Sequence, residues 1–161
     1  MGGEQLNLVS LSKLLNERQA LTETNLSLVL KFKESWSVST YDAIVETHLL
    51  TERELTDILA DYFRVTRAYA INNEDIKDDA FDQLSFSDAR EWCVFPLGTD
   101  EVKGESKLIL GDPTEEGLAD FLKEKFTSFH FGICEKSTIN NDIMKHYPIT
   151  SQLPSLTKSR K

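Results

Sequence analysis

The chain predicts an α+β fold: an N-terminal bundle of four helices, made of two repeated helical hairpins, followed by a small mixed α/β sandwich. Two observations carry this. The string "LLTERELTDILADYF" (Leu49 to Phe63) has a blurred copy upstream, "ALTETNLSLVLKF" (Ala20 to Phe32). Thr22, Glu23, Leu26 and Leu30 match Thr51, Glu52, Leu55 and Leu59 at an offset of 29 residues (22 to 51). A helix signal written twice marks one supersecondary unit stacked on its own copy. Beyond Arg64 to Arg67, short apolar runs alternate with helical stretches, the pattern of a small sheet with helices packed on it. The expected division is 1–65 for the helical tandem repeat, 66–148 for the α/β part and 149–161 for a linker or disordered tail.

In the first copy, Leu11, Leu14, Leu15 and Arg18 keep helical spacing, with Leu8 just ahead. The chain turns at "RQAL", and Thr22 precedes a second helix with Leu26, Val29 and Leu30 on one face. In the second copy, Ser39 caps a helix carrying Ala43, Ile44 and the stem of Thr47. Thr51 followed by Glu54 is a capping box, each side chain bonding the other's backbone N–H. Leu55, Ile58, Leu59 and Tyr62 form the stripe behind it, and Trp36 sits between the copies, where a large ring fills a seam. Core packing of Leu14, Leu15, Leu26, Leu30, Ile44, Leu55 and Leu59 holds the repeats together, with direct ligand contact by some of them the alternative.

In the second half, "RAYAI" reads as a strand and Ser87 opens a short helix. "EWCVFPLG" and "SKLILG" read as strands around the turn "TDEVKGE". Thr114 caps a helix running to about Phe126, with Leu118, Phe121 and Leu122 inward. "SFHFGI" is a further strand, and Ser137 caps a last helix ending near His146, with Ile139, Ile143 and Met144 inward.

Composition narrows the function. The chain has 161 residues, a net charge of −9 and 40% hydrophobic residues, which suits one globular domain or two small ones. The negative surface argues against a nucleic-acid partner and for a basic or apolar protein surface. Lys158, Arg160 and Lys161 gather in a polar, linker-like tail. No run has the length of a membrane span, and the first residues lack signal-peptide character. Cys93 and Cys134 (41 positions apart) form no metal-ligand pair and read as buried thiols in a reducing compartment, so the expected location is the cytoplasm.

No catalytic motif is present. The sequence lacks G-x-x-x-x-G-K-[ST] and G-x-G-x-x-G, and His48, His130 and His146 fall in separate elements. Glu74, Asp75, Asp78, Asp79 and Asp82 lack the glycine and distal glutamate of a calcium loop and read as a solvated helix face. "GDP" (Gly111 to Pro113) reads as a turn before a capped helix, with Glu115 and Glu116 complementing that helix end. No metal, cofactor or enzymatic activity is expected.

The repeats "SLSKLLNERQALTETNLSLVLKFK" and "STYDAIVETHLLTERELTDILADY" resemble the tandem pattern R-L-G-x-x-L-V-x-x-G-x-I-[ST]-x-x-x-L-x-x-A-L-x-x-Q. That pattern marks the N-terminal domain of the bacterial traffic ATPases of type II secretion and type IV pilus assembly, of the mannose-sensitive haemagglutinin pilus kind. "FDQLSFSDAREWCVFPLG" and "LILGDPTEEGLADFLKEKF" resemble the same family's second half, so the resemblance spans about Leu8 to Tyr147. In that family the repeats bind cyclic di-GMP, and the secretion branch uses this region to attach to the cytoplasmic part of an inner-membrane platform protein.

The family-equivalent ligand positions are Ser10, Leu11, Ser12, Leu14, Leu15, Lys33, Ser39, Thr40, Ala43 and Ile44. Ser10 and Ser39 stand at the arginine positions, Ser12 and Tyr41 at the first glycines, Gln19 and His48 at the second, and Lys33 and Tyr62 at the glutamines. Losing the arginines removes bidentate phosphate donors. Each lost contact costs on the order of 1–3 kcal/mol, and about 1.4 kcal/mol is tenfold in affinity. The resemblance therefore implies a docking module on the cytoplasmic face of the inner membrane, with Phe32 and Trp36 as candidate contacts and the platform protein as partner. The chain's own downstream ATPase domain is a second partner if these residues are a fragment, as the linker-like tail suggests. The alternative is a cyclic di-GMP receptor in which Lys13, Arg18 and Lys33 supply substitute charges.

Overall fold

The computed structural model describes residues 10–152. Leu8 and the basic residues Lys158, Arg160 and Lys161 lie outside them.

Among the described residues four helices come first: α1 (Leu11–Glu17), α2 (Glu23–Trp36), α3 (Thr40–Glu46) and α4 (Glu52–Phe63). The 29-residue repeat (10 to 39, 22 to 51) is visible atom by atom. The Ser10 and Ser39 hydroxyls accept from the backbone N–H of Lys13 and Asp42 at 3.4 and 3.1 Å. Thr22 and Thr51 do the same for Asn25 and Glu54 at 3.1 and 3.0 Å. The Thr51 N–H donates back to Glu54 Oε1 at 2.9 Å, which completes the predicted capping box. Both hairpins then turn through a left-handed residue, Gln19 at φ 58° and His48 at φ 60°. Behind them the N–H of Ala20 reaches the Leu15 carbonyl at 2.9 Å, and that of Leu49 the Ile44 carbonyl at 3.3 Å. Glycine is at home in this backbone region, and the two side chains accept it at a cost of roughly 1–2 kcal/mol each.

Leu30 and Trp36 depart from expectation. Helix α2 buries Val29 alone among its side chains and leaves Leu30 48% and Trp36 68% exposed. Its match α4 packs on the strand Phe129–Ile133, whereas α2 leans on α1 and α3. The likeness of the two helices in sequence therefore does not carry over to their surroundings.

The second half contains α5 (Ala80–Gln83), α6 (Phe86–Trp92), β1 (Val94–Asp100), β2 (Glu105–Leu110), α7 (Leu118–Lys125), β3 (Phe129–Ile133), α8 (Lys136–His146) and α9 (Ile149–Gln152). The sheet order is β1-β2-β3, antiparallel between β1 and β2 and parallel between β2 and β3. The class is α+β, as the sequence predicts.

Several local readings need correction. "RAYAI" is not a strand: Arg67 makes one bridge to Ile133, where β3 ends, and the chain then leaves the sheet. Helix α6 is capped by Ser85, whose hydroxyl accepts from Asp88 N–H at 3.0 Å, not opened by Ser87. Thr114 caps no helix, because its N–H and hydroxyl are taken by Asp112 Oδ1 at 2.9 and 2.5 Å, and α7 begins only after Gly117 at φ 88°. Ser137 lies inside α8, whose N-cap is Glu135. Its hydroxyl bonds Glu52 of α4, and the same carboxylate receives the Ser137 N–H at 3.4 Å. The acidic run forms no continuous helix face: residues Asn73–Asp75 are a 3-10 turn, and Asp79 covers the outer edge of β1. Asp79 accepts from the Thr99 N–H and hydroxyl at 3.1 and 2.6 Å. Residues Ile149–Gln152 are helical where a linker is predicted.

Both halves share one hydrophobic cluster, in which Leu14, Leu15, Ile44, Leu55 and Leu59 join Phe95, Leu108, Leu110 and Ile133. Phe63 meets Phe131 edge-on at 6.1 Å, and the buried Tyr147 hydroxyl donates to the Leu84 carbonyl at 2.7 Å. Cys93 and Cys134 are free and buried, as expected. No helix among the described residues is long and apolar enough to cross a membrane.

Candidate functional site

The caps of α1 and α3 converge on a cleft of about 480 Å³. Its lining is Ser10, Leu11, Lys33, Ser39 and Thr40 from the repeats, facing Asp112, Thr114, Glu115 and Glu116 from the turn after β2. Five of the expected ligand positions thus meet in one place. The others do not reach it. Leu14, Leu15, Ala43 and Ile44 are wholly buried in the core, and Ser12 bonds the Ser10 hydroxyl at 2.9 Å.

The far wall is what local sequence reading missed. Glu115 and Glu116 are read there as charges complementing a helix end, but the helix starts later, which leaves both carboxylates facing the cleft. Lys33 is the cation in the lining. Of the other expected substitute charges, Arg18 pairs with Asp61 beside the Tyr62 ring, and Lys13 is exposed. Both serine hydroxyls already hold an N–H at their helix starts, so those amides are not offered to a phosphate.

Behind the wall lies a second cleft of about 250 Å³, lined by Ser39, Asp42, Arg90, Glu91, Cys93, Glu115, Lys136 and Asn140. Ser39 and Glu115 line both. The Lys136 ammonium is 3.4 Å from Asp42 Oδ1 and 4.4 Å from the centre of the Tyr41 ring. Tyr41, at the first-glycine position of the second repeat, is 1% exposed and fills the space a glycine would leave. Its hydroxyl lies buried beside Thr56, and burial raises its ionisation far above the ordinary phenol range. The Cys93 thiol leans on the Lys136 carbonyl at 3.6 Å and is pushed up to about 12 by burial, which makes it inert as a nucleophile.

Charge in this junction is unbalanced. Burial pushes Asp112, 2% exposed, above the usual carboxylate range against the pull of its bonds to Thr114. Burial also lifts Glu115 to about 7, opposed by Lys136 and helped by Asp112, Asp42 and Glu91. For Lys136, burial disfavours the ammonium, but Asp112, Asp42 and Glu115 outweigh it and raise its pKa. When Asp112 keeps its proton, Asp42 and Glu115 remain to meet that ammonium. A site of this make-up attracts cations and repels phosphates. No group of metal-binding side chains is found among the described residues.

Solved structures that share this fold include those of MshE and of the XpsE N-terminal domain. MshE, in a structure with cdg, aligns with 86% of this chain and 99% of its own, at 19% identity and a TM-score of 0.65. The N-terminal domain of XpsE aligns in two crystal forms. One covers 84% of this chain and 93% of that chain at 17% identity and a TM-score of 0.56. The other covers 92% and 98% at 15% identity and a TM-score of 0.61. At such identities the likeness is one of fold, and it is the fold that the repeats imply. No protein-family model and no curated protein matches the chain.

Proposed function

We propose that this chain is a non-catalytic docking and regulatory N-terminal domain of a bacterial secretion or pilus ATPase, attached to the cytoplasmic part of an inner-membrane platform protein. Its fold neighbours are N-terminal domains of such ATPases. The observation that carries the reading is helix α2. It is the longest helix of the repeats at 14 residues, yet it buries Val29 alone and leaves Leu28, Leu30 and Trp36 in solvent. Leu28, Phe32 and Trp36 follow one another at four-residue spacing, and the Phe32 and Trp36 rings lie 5.9 Å apart. In a chain of net charge −9, this helix carries two lysines (Lys31, Lys33) against two glutamates (Glu23, Glu34). An apolar partner strip meets no charge barrier there.

Binding of the platform protein's cytoplasmic domain to the folded chain tests this directly. The wild-type chain binds, and Trp36→Ala, which removes an exposed ring and leaves the core intact, weakens binding about 30-fold, or roughly 2 kcal/mol. No binding by well-folded wild type overturns the reading.

A second reading, a cyclic di-GMP receptor with altered contacts, is favoured by one observation: the repeats bring five expected ligand positions to a single cleft. The carboxylates of Asp112, Glu115 and Glu116 oppose it. Calorimetry with the dinucleotide separates the two, since a low-micromolar affinity supports the receptor and silence supports docking alone.

A further inference from the structure

We propose that the cavity between residues 68–77 and the sheet binds a small aromatic anion, a planar apolar body with one anionic end. No residue of the repeats lines this cavity, so the site goes beyond the docking role and does not depend on it.

The chain makes the cavity by crossing the sheet. Ala68 N–H donates to the Ile133 carbonyl on β3 at 2.8 Å, and Lys77 N–H to the Leu97 carbonyl on β1 at 2.9 Å. These strands are the two edges of the sheet, with β2 between them. Between the two ties, the main-chain to main-chain bonds of the segment among the described residues close only its own turn. Asp75 N–H reaches the Asn72 carbonyl at 3.0 Å, and Ile76 N–H the Asn73 carbonyl at 3.1 Å. The segment therefore spans Lys107 and Ile109 of β2 without pairing to them, and about 580 Å³ stays open there. Such a volume suits a small organic ligand. Gly132 on β3 keeps the floor clear: a Cβ there would lie 3.3 Å from Ile109 Cδ1 and 3.1 Å from the Thr66 carbonyl oxygen.

One end of the cavity is apolar. Ala68, Tyr69, Ala70 and Ile71 line it from the crossing segment, with the buried Leu97 and Ile109 from the sheet. The Tyr69 ring is 65% exposed and has the Arg67 guanidinium 4.2 Å from its centre. Asp57 and Glu135 hold that guanidinium at 2.7 and 3.1 Å. One face of the ring is thereby fixed, and the other is available to stack on a flat ligand.

The hairpin end is charged, and its sign is decided by which groups are already engaged. Asp100 Oδ1 accepts from the Val102 and Lys103 N–H at 3.0 and 3.3 Å, and its Oδ2 faces His130 Nε2 at 3.7 Å. The other His130 nitrogen faces Glu105 at 3.2 Å. Asp75, on the crossing segment, accepts from the Asn72 amide at 3.5 Å. Lys103 and Lys107 line the same cavity, and neither ammonium forms an ion pair with a described residue. Asp100 offsets part of the Lys103 charge, and Lys107 is left over. An adjoining hollow of about 270 Å³ shares Lys107 and adds Lys77 and Glu101, which cancel in sign. A ligand with one negative group beside its rings therefore meets an unmatched cation at this end.

The probe is anilinonaphthalene sulfonate, added to the whole chain and followed by fluorescence and by amide NMR. Binding is expected to saturate at one site with a Kd of roughly 10–100 μM, and to shift amides of residues 66–72, 97–109 and 130–132. Phenylnaphthylamine, which has the same rings without the sulfonate, is expected to bind about tenfold more weakly, and so is the sulfonate to Lys107→Glu. Tyr69→Ala is expected to lose about fivefold, and Trp36→Ala, on the docking strip, to lose nothing. Shifts that fall elsewhere, equal affinity for the neutral rings, an affinity unchanged in Lys107→Glu, or no saturation by about 1 mM would each overturn the proposal. The shift map and the neutral analogue are read on wild type, so they stand even if a variant folds poorly.

Discussion

Two glycines on the β1–β2 hairpin show how much one backbone angle and one neighbour decide. Gly98 follows the bulge in β1 at φ 99°, and a Cβ there would lie 2.5 Å from Lys77 Cβ and 2.6 Å from Asp79 Oδ1. Gly104 is at φ 69°, but nothing stands within 4 Å of its Cβ position. Both substitutions to alanine strain the backbone, by about 1–2 kcal/mol. Gly98→Ala additionally pushes Asp79 off Thr99 and exposes the edge of β1, so its total loss is about 3 kcal/mol or more. Urea unfolding of the two variants side by side measures the difference. Equal losses would mean that the contact with residues 77–79 carries no stability. The same reasoning explains Tyr41. A ring in place of a glycine abolishes close backbone approach at the second repeat and gives the Lys136 ammonium an aromatic face to rest on.

The helix caps are the part of the fold that local sequence expresses best. Ser39, Thr22 and Thr51 are readable because a cap is a conversation between residues three apart. Thr51 is the strongest of them, since its hydroxyl and the Glu54 carboxylate each satisfy a free N–H at the start of α4. Thr51→Ala is expected to lose about 1 kcal/mol, more than Thr22→Ala, whose helix has one such bond. Denaturant midpoints of the two variants check the order, and a Thr51→Ala midpoint equal to wild type would sink the argument. Where a local signal competes with a longer one, the reading fails. Thr114 looks like a cap, but its hydroxyl turns back to Asp112 and the helix begins only after Gly117. Ser137 looks like a cap, but a carboxylate from α4, 85 positions away, reaches that helix start. "RAYAI" has strand composition, yet β3 gives it a partner only at Ile133. The cleft is half readable for the same reason. The resemblance of the repeats to the family pattern singles out Ser10, Leu11, Lys33, Ser39 and Thr40, which meet in the cleft, but the acidic wall comes from a turn that no repeat pattern predicts. Leu30 fails in a further way: periodicity gives the face of a helix, while the presence of a neighbour over that face is decided by the whole chain.

Polar ties join the two halves of the molecule at one seam. Arg67 bonds Asp57 at 2.7 Å and Glu135 at 3.1 Å, Lys136 reaches Asp42, and Ser137 meets Glu52. Opposite pH behaviours follow from two groups of carboxylates in the second half. Bonds from Thr99 hold Asp79 below its ordinary 3.8, bonds from the hairpin backbone do the same for Asp100, and the Ser128 hydroxyl lowers Glu105 from 4.5. A carboxyl group depressed by folding contributes stability that is present above its unfolded pKa and lost as pH falls through the folded one. These three therefore favour pH above about 4 to 5. Glu115 and Asp112 are raised instead, so their contribution is full below the unfolded values of 4.5 and 3.8. For Glu115 it is lost as pH rises toward about 7. The net charge of −9 acts the same way, since acidification toward the isoelectric point of 4.8 relieves self-repulsion. Stability is therefore expected to peak at about pH 5 to 6, on the acid side of neutrality. Urea unfolding between pH 4 and pH 8 locates the maximum. In Glu115→Gln the decline from the peak toward pH 8 should be shallower, and added salt should flatten what remains. A wild-type profile that climbs steadily from pH 5 to pH 8 would show that the raised carboxylates at the seam do not govern it.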